Sequence, residues 1–461
     1  MPSSAVKLLF LTFTVGLFSC QNKLMGGFGK IEVPFEPSGK LDTSFAGSGF
    51  TTIDNTAGGS SHDVGNSVVV DSQNRIIVAG FSTNGSTDRD MVVWRFLPDG
   101  TLDSSFGSGG YFIHNSAAGG NSDDEAYGVA LDSVENIYVT GYSTNSTPRE
   151  VLAIWKLTSA GALDTSFNST GFVTYIPGGG TGSSEGERGR SITIDASGRI
   201  VVFGQGQDND DKDSKVWRYL ATGTLDTSFN GDGEFAVHGS AGGNGSDRFM
   251  GGAINSTGDI FGVGYSWSGP TDGHDMIAVK IDSSGNISTG FNSTGTFSEN
   301  GAAGGNDTDR AVVAAVDESQ RLLAAGSSRD GSSNTDAVIW RLTTSGTLDS
   351  SFNSGSPVVL GNIAGGDGAE EIKGLLVSSS TGAIYVTGYS AGASDDEVFV
   401  TKLNDDGSLD TNFGTDGTTI FTGSNGNDSA NAMAFDNDGK IIVVGKIANG
   451  TDADLAIWRI E

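Results

Sequence analysis

The sequence is dominated by one phrase, Leu-Asp-x-Ser-Phe, which recurs with small variations about every 61 residues. Its copies begin at Leu41, Leu102, Leu163, Leu225, Ile287, Leu348 and Leu409, with steps of 61 or 62 residues. Such a regular period indicates one structural unit copied in series. A chain of near-identical units is a scaffold, so a specific activity must lie where the copies differ.

Each repeat contains four short runs of β-branched and aromatic residues. In the second repeat they are 111–114, 126–132, 136–141 and 151–157, and Gly, Asn, Asp and Ser bound them. This pattern is typical of an antiparallel meander. Seven such units predict an all-β, seven-bladed β-propeller with four antiparallel strands per blade and the 126–132 type innermost. The last third strand, 454–460, has no following partner, so we expect Phe50–Ile53 to pair with it and close the ring.

The patterns G-x-L-D-x-S-F and V-x-D-x-x-x-x-I-x-V-x-G resemble the bacterial delta-60 repeat family of predicted β-propellers. The resemblance covers residues 39–461, with repeats starting near residues 39, 100, 161, 223, 285, 346 and 407. It implies a propeller in a secreted or surface context, and it brings no established biochemical activity.

The N-terminus has the pattern of an export signal. Lys7 precedes an apolar run over residues 8–17 that is too short to span a bilayer. The sequence Leu17-Phe18-Ser19-Cys20 resembles a bacterial lipobox, although Phe18 departs from its usual small or β-branched residue. The resemblance implies a signal peptide over 1–19 and a lipid on Cys20. Residues 20–38 are then a tether with a possible extra strand at 30–36, and Gln21 in place of Asp favours the outer membrane.

The formal charge of −30, from 56 acidic and 26 basic residues, argues against nucleic acid and anionic membrane surfaces as partners. Cations, neutral glycans and basic protein surfaces remain. A highly acidic surface also serves solubility alone.

One acidic position recurs eight residues before the end of every innermost strand. Strand direction places it on the rim that carries the long loops, which is the natural binding surface of a propeller. Its members are Asp63, Asp124, Glu187, Asp247, Asp309, Glu370 and Asp428. We predict an acidic binding rim, or carboxylates that merely hold the loops through backbone N–H groups. Weak Ca²⁺ candidates are Asp208, Asp210, Asp211 and Asp213, which lack the full EF-hand pattern.

Aromatic residues at the same rim differ between repeats. The position after the second strand holds Tyr142, Tyr265 and Tyr389 in three copies, and Trp267 is the single tryptophan outside the repeated third-strand site. These side chains suit stacking on a sugar, burial in a protein interface, or simple loop packing.

No catalytic motif is visible in the sequence. The four histidines share no repeat position or metal spacing, and phosphate-binding loops are missing. We therefore predict a non-enzymatic, extracytoplasmic binding scaffold without an assigned cofactor, whose partner is a protein or glycan of the envelope or outside the cell. The alternatives are a glycan-binding or glycan-active protein, possibly Ca²⁺-dependent, and a structural envelope component.

Overall fold

The computed structural model describes residues 36–176, 186–208, 211–270, 273–332, 334–366, 368–423, 426–450 and 452–461. The predicted signal peptide, Cys20 and the extra strand up to residue 35 lie outside these residues. Over the described residues the chain is an all-β propeller, with a single turn of 3₁₀ helix at Asn353–Gly355. None of the described helical structure is long and apolar enough to cross a membrane.

The described residues form five four-stranded antiparallel sheets, and an eight-stranded sheet lies between the third and the fourth in chain order. The first contains β2 (Gly58–Val70), β3 (Ile76–Asn84), β4 (Arg89–Phe96) and β5 (Tyr111–His114). The second contains β6 (Gly119–Leu131), β7 (Ile137–Asn145), β8 (Glu150–Leu157) and β9 (Phe172–Tyr175). The third contains β10 (Arg188–Ile194), β11 (Ile200–Asp208), β12 (Asp211–Tyr219) and β13 (Glu234–Val237). The fourth contains β22 (Glu370–Val377), β23 (Ile384–Ala391), β24 (Asp396–Leu403) and β25 (Thr418–Phe421).

The fifth four-stranded sheet closes the fold. It contains β26 (Ser429–Phe435), β27 (Ile441–Ala448), β28 (Ala453–Ile460) and, at its outer edge, β1 (Phe50–Ile53). Phe50 pairs with Trp458 and Ile53 with Leu455, so the first strand of the chain completes the last sheet as predicted.

The remaining strands depart from the prediction of seven separate sheets. They form one eight-stranded sheet from β14 (Asp247–Ile254), β15 (Ile260–Gly269), β16 (Gly273–Ile281), β17 (Thr296–Glu299), β18 (Gly304–Val316), β19 (Leu322–Asp330), β20 (Thr335–Leu342) and β21 (Val358–Leu360). The structure therefore has five separate four-stranded blades, not seven. The link is a single parallel pair, His274 of β16 with Thr308 of β18, near the start of both strands.

The recurring Leu-Asp-x-Ser-Phe phrase is the turn between the third and fourth strands, and it locks neighbouring repeats together. Asp103 accepts hydrogen bonds from the Ser105 N–H and hydroxyl, and its other oxygen binds the Arg95 guanidinium at 2.8 Å. Phe106 is fully buried beneath Gly161, a residue of the next turn. A Cβ on Gly161 would lie 2.8 Å from that ring, and φ of +82° also favours glycine there. The glycine and phenylalanine of the repeat are thus one packing unit shared by adjacent copies.

The base that follows the third-strand tryptophan position pairs with the turn aspartate in six copies. The pairs are Arg459–Asp42, Arg95–Asp103, Lys156–Asp164, Arg218–Asp226, Arg341–Asp349 and Lys402–Asp410. Copy five has Ser288 instead, and Lys280 there binds Asp259 at 2.9 Å. The tryptophans pack between sheets; Trp155, for example, shares a core cluster with Met91 and Val93 of the preceding sheet.

Candidate functional site

The seven predicted rim acids lie beneath the long loops, not on the rim surface. Asp63, Asp124, Glu187, Asp247, Asp309, Glu370 and Asp428 are each between 0% and 1% exposed. Asp63 accepts the backbone N–H of Asn55 at 3.0 Å, and Asp309 accepts that of Gly301 at 2.9 Å. Burial removes these carboxylates from water and raises the pKa of Asp124 to about 6. This arrangement agrees with the alternative in which the carboxylates hold the loops through backbone N–H groups, and a ligand at the rim surface would not reach them.

The calcium candidates are only partly described. Asp210 and the side chain of Asp208 lie outside the described part of the chain, and Asp211 pairs through its backbone with Asp208. Asp213 instead joins His238 and Asp247, whose possible ligand atoms all lie within 4.8 Å of one another. His238 Nδ1 is 2.9 Å from Asp213 and 3.3 Å from Asp247. An imidazole nitrogen with two carboxylates suits Zn²⁺ or Mn²⁺ better than Ca²⁺, and an imidazole bridging two acids also accounts for the geometry.

The predicted aromatic residues occupy two environments. Tyr142 is 3% exposed, and its hydroxyl donates to Glu125 at 2.9 Å. Tyr265, Trp267 and Tyr389 are half-buried and remain accessible. The backbone of Trp267 pairs with that of His274, and its ring meets the His274 ring edge-on at a centroid distance of 5.1 Å.

An axial cavity of about 340 Å³ is surrounded by the innermost strand of every repeat. Seven strands contribute to its wall, which are β2, β6, β10, β14, β18, β22 and β26. Each strand carries a bulge at the same place, and the bulge residue lines the cavity. Bulges re-aim side chains and are common at functional sites in sheets.

The bulge residues are unlike one another, which breaks the symmetry of the ring. In chain order they are Asn66, Tyr127, Arg190, Met250, Val312, Lys373 and Asn431. Two residues before them, at the mouth of the cavity, stand Val64, Glu125, Arg188, Arg248, Arg310, Glu371 and Ser429. The cations are concentrated on three successive inner strands, β10, β14 and β18, with Lys373 on the next.

Cations and tyrosine rings alternate around this mouth. Arg190 lies over Tyr127 at 4.6 Å from the ring centroid, and Arg188 lies over Tyr142 at 4.8 Å. Tyr265 receives two guanidinium groups, Arg248 at 5.8 Å and Arg310 at 5.5 Å. Lys373 lies 5.2 Å from the centroid of Tyr389. Cation–π contacts of this kind hold a charged group in place without neutralising it.

The partners of these cations balance their charge to different degrees. Arg188 forms an ion pair with Glu150, which offsets its charge. Arg190 instead donates to the neutral amide oxygen of Gln205 at 3.3 Å. Loss of water and repulsion from Arg188 and Arg248 lower the pKa of Arg190, and burial together with Lys446 lowers that of Lys373. A negative ligand would relieve this accumulated positive charge.

The mouth contains both predicted and unpredicted residues. Tyr142, Tyr265 and Tyr389 were expected at this rim, and they form its ring faces. The cations were missed because the inner-strand starts were compared only at the uniform acidic position. The signal lies one and three residues after the recurring acidic position. The arginines there, in a chain that is acidic overall, are Arg188, Arg190, Arg248 and Arg310.

Family comparison agrees with the repeat structure. Five segments match the model described as "Domain of unknown function (DUF5122) beta-propeller", at 73–106, 136–167, 196–229, 321–352 and 380–413. A model described as "Beta-propeller repeat" matches 117–146. The matches are consistent with a bacterial β-propeller repeat family of unknown function, and they cover less than half of the chain. The curated proteins contain no match.

Solved structures whose chains follow a similar path include three proteins of different kinds. Polysaccharide lyase Uly1 is 13% identical, with a TM-score of 0.49 over 86% of this chain and 90% of that one. Sqt1 from Chaetomium thermophilum is 12% identical, with a TM-score of 0.46 over 86% and 95%. Trypanosoma rangeli sialidase is 10% identical, with a TM-score of 0.39 over 89% and 59%. Likenesses this distant carry no argument about the ligand or activity of this chain.

Proposed function

We propose that this protein is an extracytoplasmic binding protein that takes an anionic ligand at the mouth of its axial cavity. The main support for this proposal is the environment of Arg190. This half-buried cation stacks on Tyr127 and donates to the neutral Gln205 side chain. Holding a positive group with neutral partners costs stability, and such arrangements are typical of sites that serve a ligand. We count the eight-stranded sheet as two blades joined at His274 and Thr308, which would make the ring around Arg190 seven-bladed.

Attachment through lipidated Cys20 would suit this geometry. The last residues of the predicted tether dock on the short-turn rim, where Glu36 contacts Lys402 at 2.8 Å and Ser38 donates its N–H to the Glu461 carbonyl at 2.6 Å. The cavity mouth is on the opposite, long-loop rim. A lipid at residue 20, in the outer membrane, would therefore leave the mouth facing away from the bilayer.

The lipid proposal has a direct test. Cys20→Ala should move the chain from the membrane fraction to the soluble fraction and abolish incorporation of labelled fatty acid. Unchanged membrane association together with undiminished labelling would overturn it.

The binding proposal is tested by calorimetry on the full-length chain in neutral detergent. Polygalacturonate and dextran sulfate are the anionic probes, and dextran is the neutral one. We expect binding of at least one anionic probe, no binding of dextran, and loss of about tenfold in affinity for Arg190→Gln, equivalent to roughly 1.4 kcal/mol. Affinity should also fall with added salt.

Lys40→Gln is the matched control, because Lys40 is exposed near the short-turn rim and the substitution removes the same charge. It should leave affinity unchanged. Equal losses for both variants would mean that only net charge matters, and the site proposal would fail. If the polygalacturonate becomes shorter during the titration, the protein cleaves the glycan. The enzymatic alternative would then replace the binding proposal.

A further inference from the structure

A stripe of aromatic rings leads away from the cationic mouth. Tyr265 and Trp267 are two residues apart on β15 and therefore project from the same face of the sheet. His274 of the neighbouring strand lies between them, with ring centroids 5.0 Å from Tyr265 and 5.1 Å from Trp267. The His274 ring meets both other rings edge-on, so the stripe is continuous from the mouth outward.

The positive charge beside this stripe is concentrated at its inner end. There Arg248 and Arg310 lie over Tyr265. Further out, Asp307 acts electrostatically on His274 in opposition to these two arginines, and it is itself engaged in an ion pair. An anionic group is therefore favoured at the mouth.

The cavity below the mouth limits how far a ligand enters. Its wall combines the apolar side chains of Met250, Val312, Val313 and Met433 with the amides of Asn66 and Asn431 and the cations Arg190 and Lys373. An anionic group is therefore held beside the cations, because the apolar part of the wall offers it no partner. One anionic unit at the mouth, followed by uncharged ring faces on the stripe, matches this distribution of polarity.

We infer that the ligand is an acidic oligosaccharide, with its anionic sugar at Arg190 and Arg248 and its chain running outward over Tyr265, His274 and Trp267. This inference rests on the proposed function and adds to it the ligand class and direction of binding. Sugar rings present apolar faces that stack on aromatic side chains, and a carboxylate or sulfate takes paired hydrogen bonds from a guanidinium group. Single-stranded nucleic acid also combines rings with anions, but it carries a charge on every unit, which conflicts with the formal charge of −30 on this chain.

The test compares chain lengths and ligand types by calorimetry on the full-length protein. The probes are galacturonate, a trisaccharide with a galacturonate at its non-reducing end and two neutral sugars, and a single-stranded oligodeoxynucleotide trimer. We expect the trisaccharide to bind about tenfold more tightly than the monosaccharide, a difference of roughly 1.4 kcal/mol. Trp267→Ala should abolish that gain and leave monosaccharide affinity unchanged, and Trp267→Phe should restore most of it.

Phe50→Ala is the matched control, since Phe50 is a 38% exposed aromatic residue on the outermost strand of the closing sheet. It should leave both affinities intact. Failure of the proposed function and failure of the glycan inference would give different results. If Arg190→Gln weakens anion binding but Trp267→Ala leaves the trisaccharide gain unchanged, the proposed function stands and the glycan inference is wrong. Tighter binding of the oligodeoxynucleotide than of the trisaccharide would assign the stripe to nucleic acid.

Discussion

The two rims of the propeller use the same ingredients, arginine and aromatic rings, in opposite ways. On the short-turn rim, Arg95 is 2% exposed, binds Asp103 and lies over Phe106 at 4.6 Å. At the cavity mouth, Arg190 is half-buried, lies over Tyr127 and donates to a neutral amide. The first arrangement recurs in most copies and the second occurs once. An arginine that recurs between repeats and pairs with a carboxylate indicates a structural role. A single arginine with neutral partners indicates a site that is available to a ligand.

The largest expected effect comes from removing a turn aspartate. Asp103→Asn leaves the buried Arg95 without its carboxylate, and a buried cation deprived of its partner is costly. The side chains are 3% and 8% exposed, so we expect a loss of about 2–3 kcal/mol in the free energy of unfolding. Urea denaturation measures this loss. Anion affinity at the mouth should not change.

Ser288→Ala is the control for that variant, because copy five has no turn aspartate and Lys280 is already bound to Asp259. Its cost should stay below about 0.5 kcal/mol. A comparable loss in both variants would show that the turn, and not its ion pair, carries the stability.

The next effect depends on pH and concerns the buried rim acids. Burial raises the pKa of Asp124 to about 6, well above the value of an unfolded aspartate. The folded state therefore binds more protons than the unfolded state, and this carboxyl group destabilises the fold as pH rises through about 6. Its contribution to the free energy of unfolding should increase by roughly 1 kcal/mol between about pH 7.5 and about pH 5.5.

The difference in stability between the wild type and Asp124→Asn isolates this contribution, because His114 and His274 titrate in the opposite direction in both proteins. Burial lowers the pKa of each histidine, so their protonation opposes folding as pH falls. Asp164→Asn is the control: the Lys156 ion pair and Ser166 lower the pKa of Asp164 to about 2, so its difference from wild type should be constant over the same range. A constant difference for Asp124→Asn as well would contradict the buried-acid assignment.

The contrast between features that recur in the repeats and features that occur once explains what the sequence could and could not predict. Period and strand order were predictable because they recur in every copy, and closure by Phe50–Ile53 was predictable because the last third strand has no following partner. The merging of two repeats was not predictable, because it rests on the single pair His274 and Thr308. The cationic mouth was missed because its members, such as Arg190 and Lys373, have no equivalents elsewhere in the ring. The rim acids were found, and their hydrogen bonds to loop N–H groups match one of the two predicted roles; their burial could not be predicted, since burial of a carboxylate leaves no mark on its spacing.

A smaller effect would make copy five like the others. Ser288→Asp places a carboxylate where the other copies pair with the third-strand base, within the turn that faces Lys280. Lys280 already binds Asp259 and is 17% exposed, so the gain should be only about 0.5 kcal/mol. Thermal unfolding measures it. The same substitution in an Asp259→Asn background should give a larger gain; an equal gain would show that Lys280 does not reach the turn.

The smallest effect on stability is expected at the residue with the largest proposed effect on binding. Arg190→Met removes a cation that is short of water and repelled by Arg188 and Arg248, but it also removes the stacking on Tyr127 and the bond to Gln205. These terms oppose each other, so the free energy of unfolding should change by less than about 0.5 kcal/mol. Arg218→Met is the counterpart on the short-turn rim, where Asp226 would lose its buried partner, and it should cost about 2–3 kcal/mol. Urea denaturation of both variants, with anion binding measured beside it, decides the comparison: if Arg190→Met destabilises the fold as much as Arg218→Met, the mouth arginine is structural, and the difference drawn between the two rims is wrong.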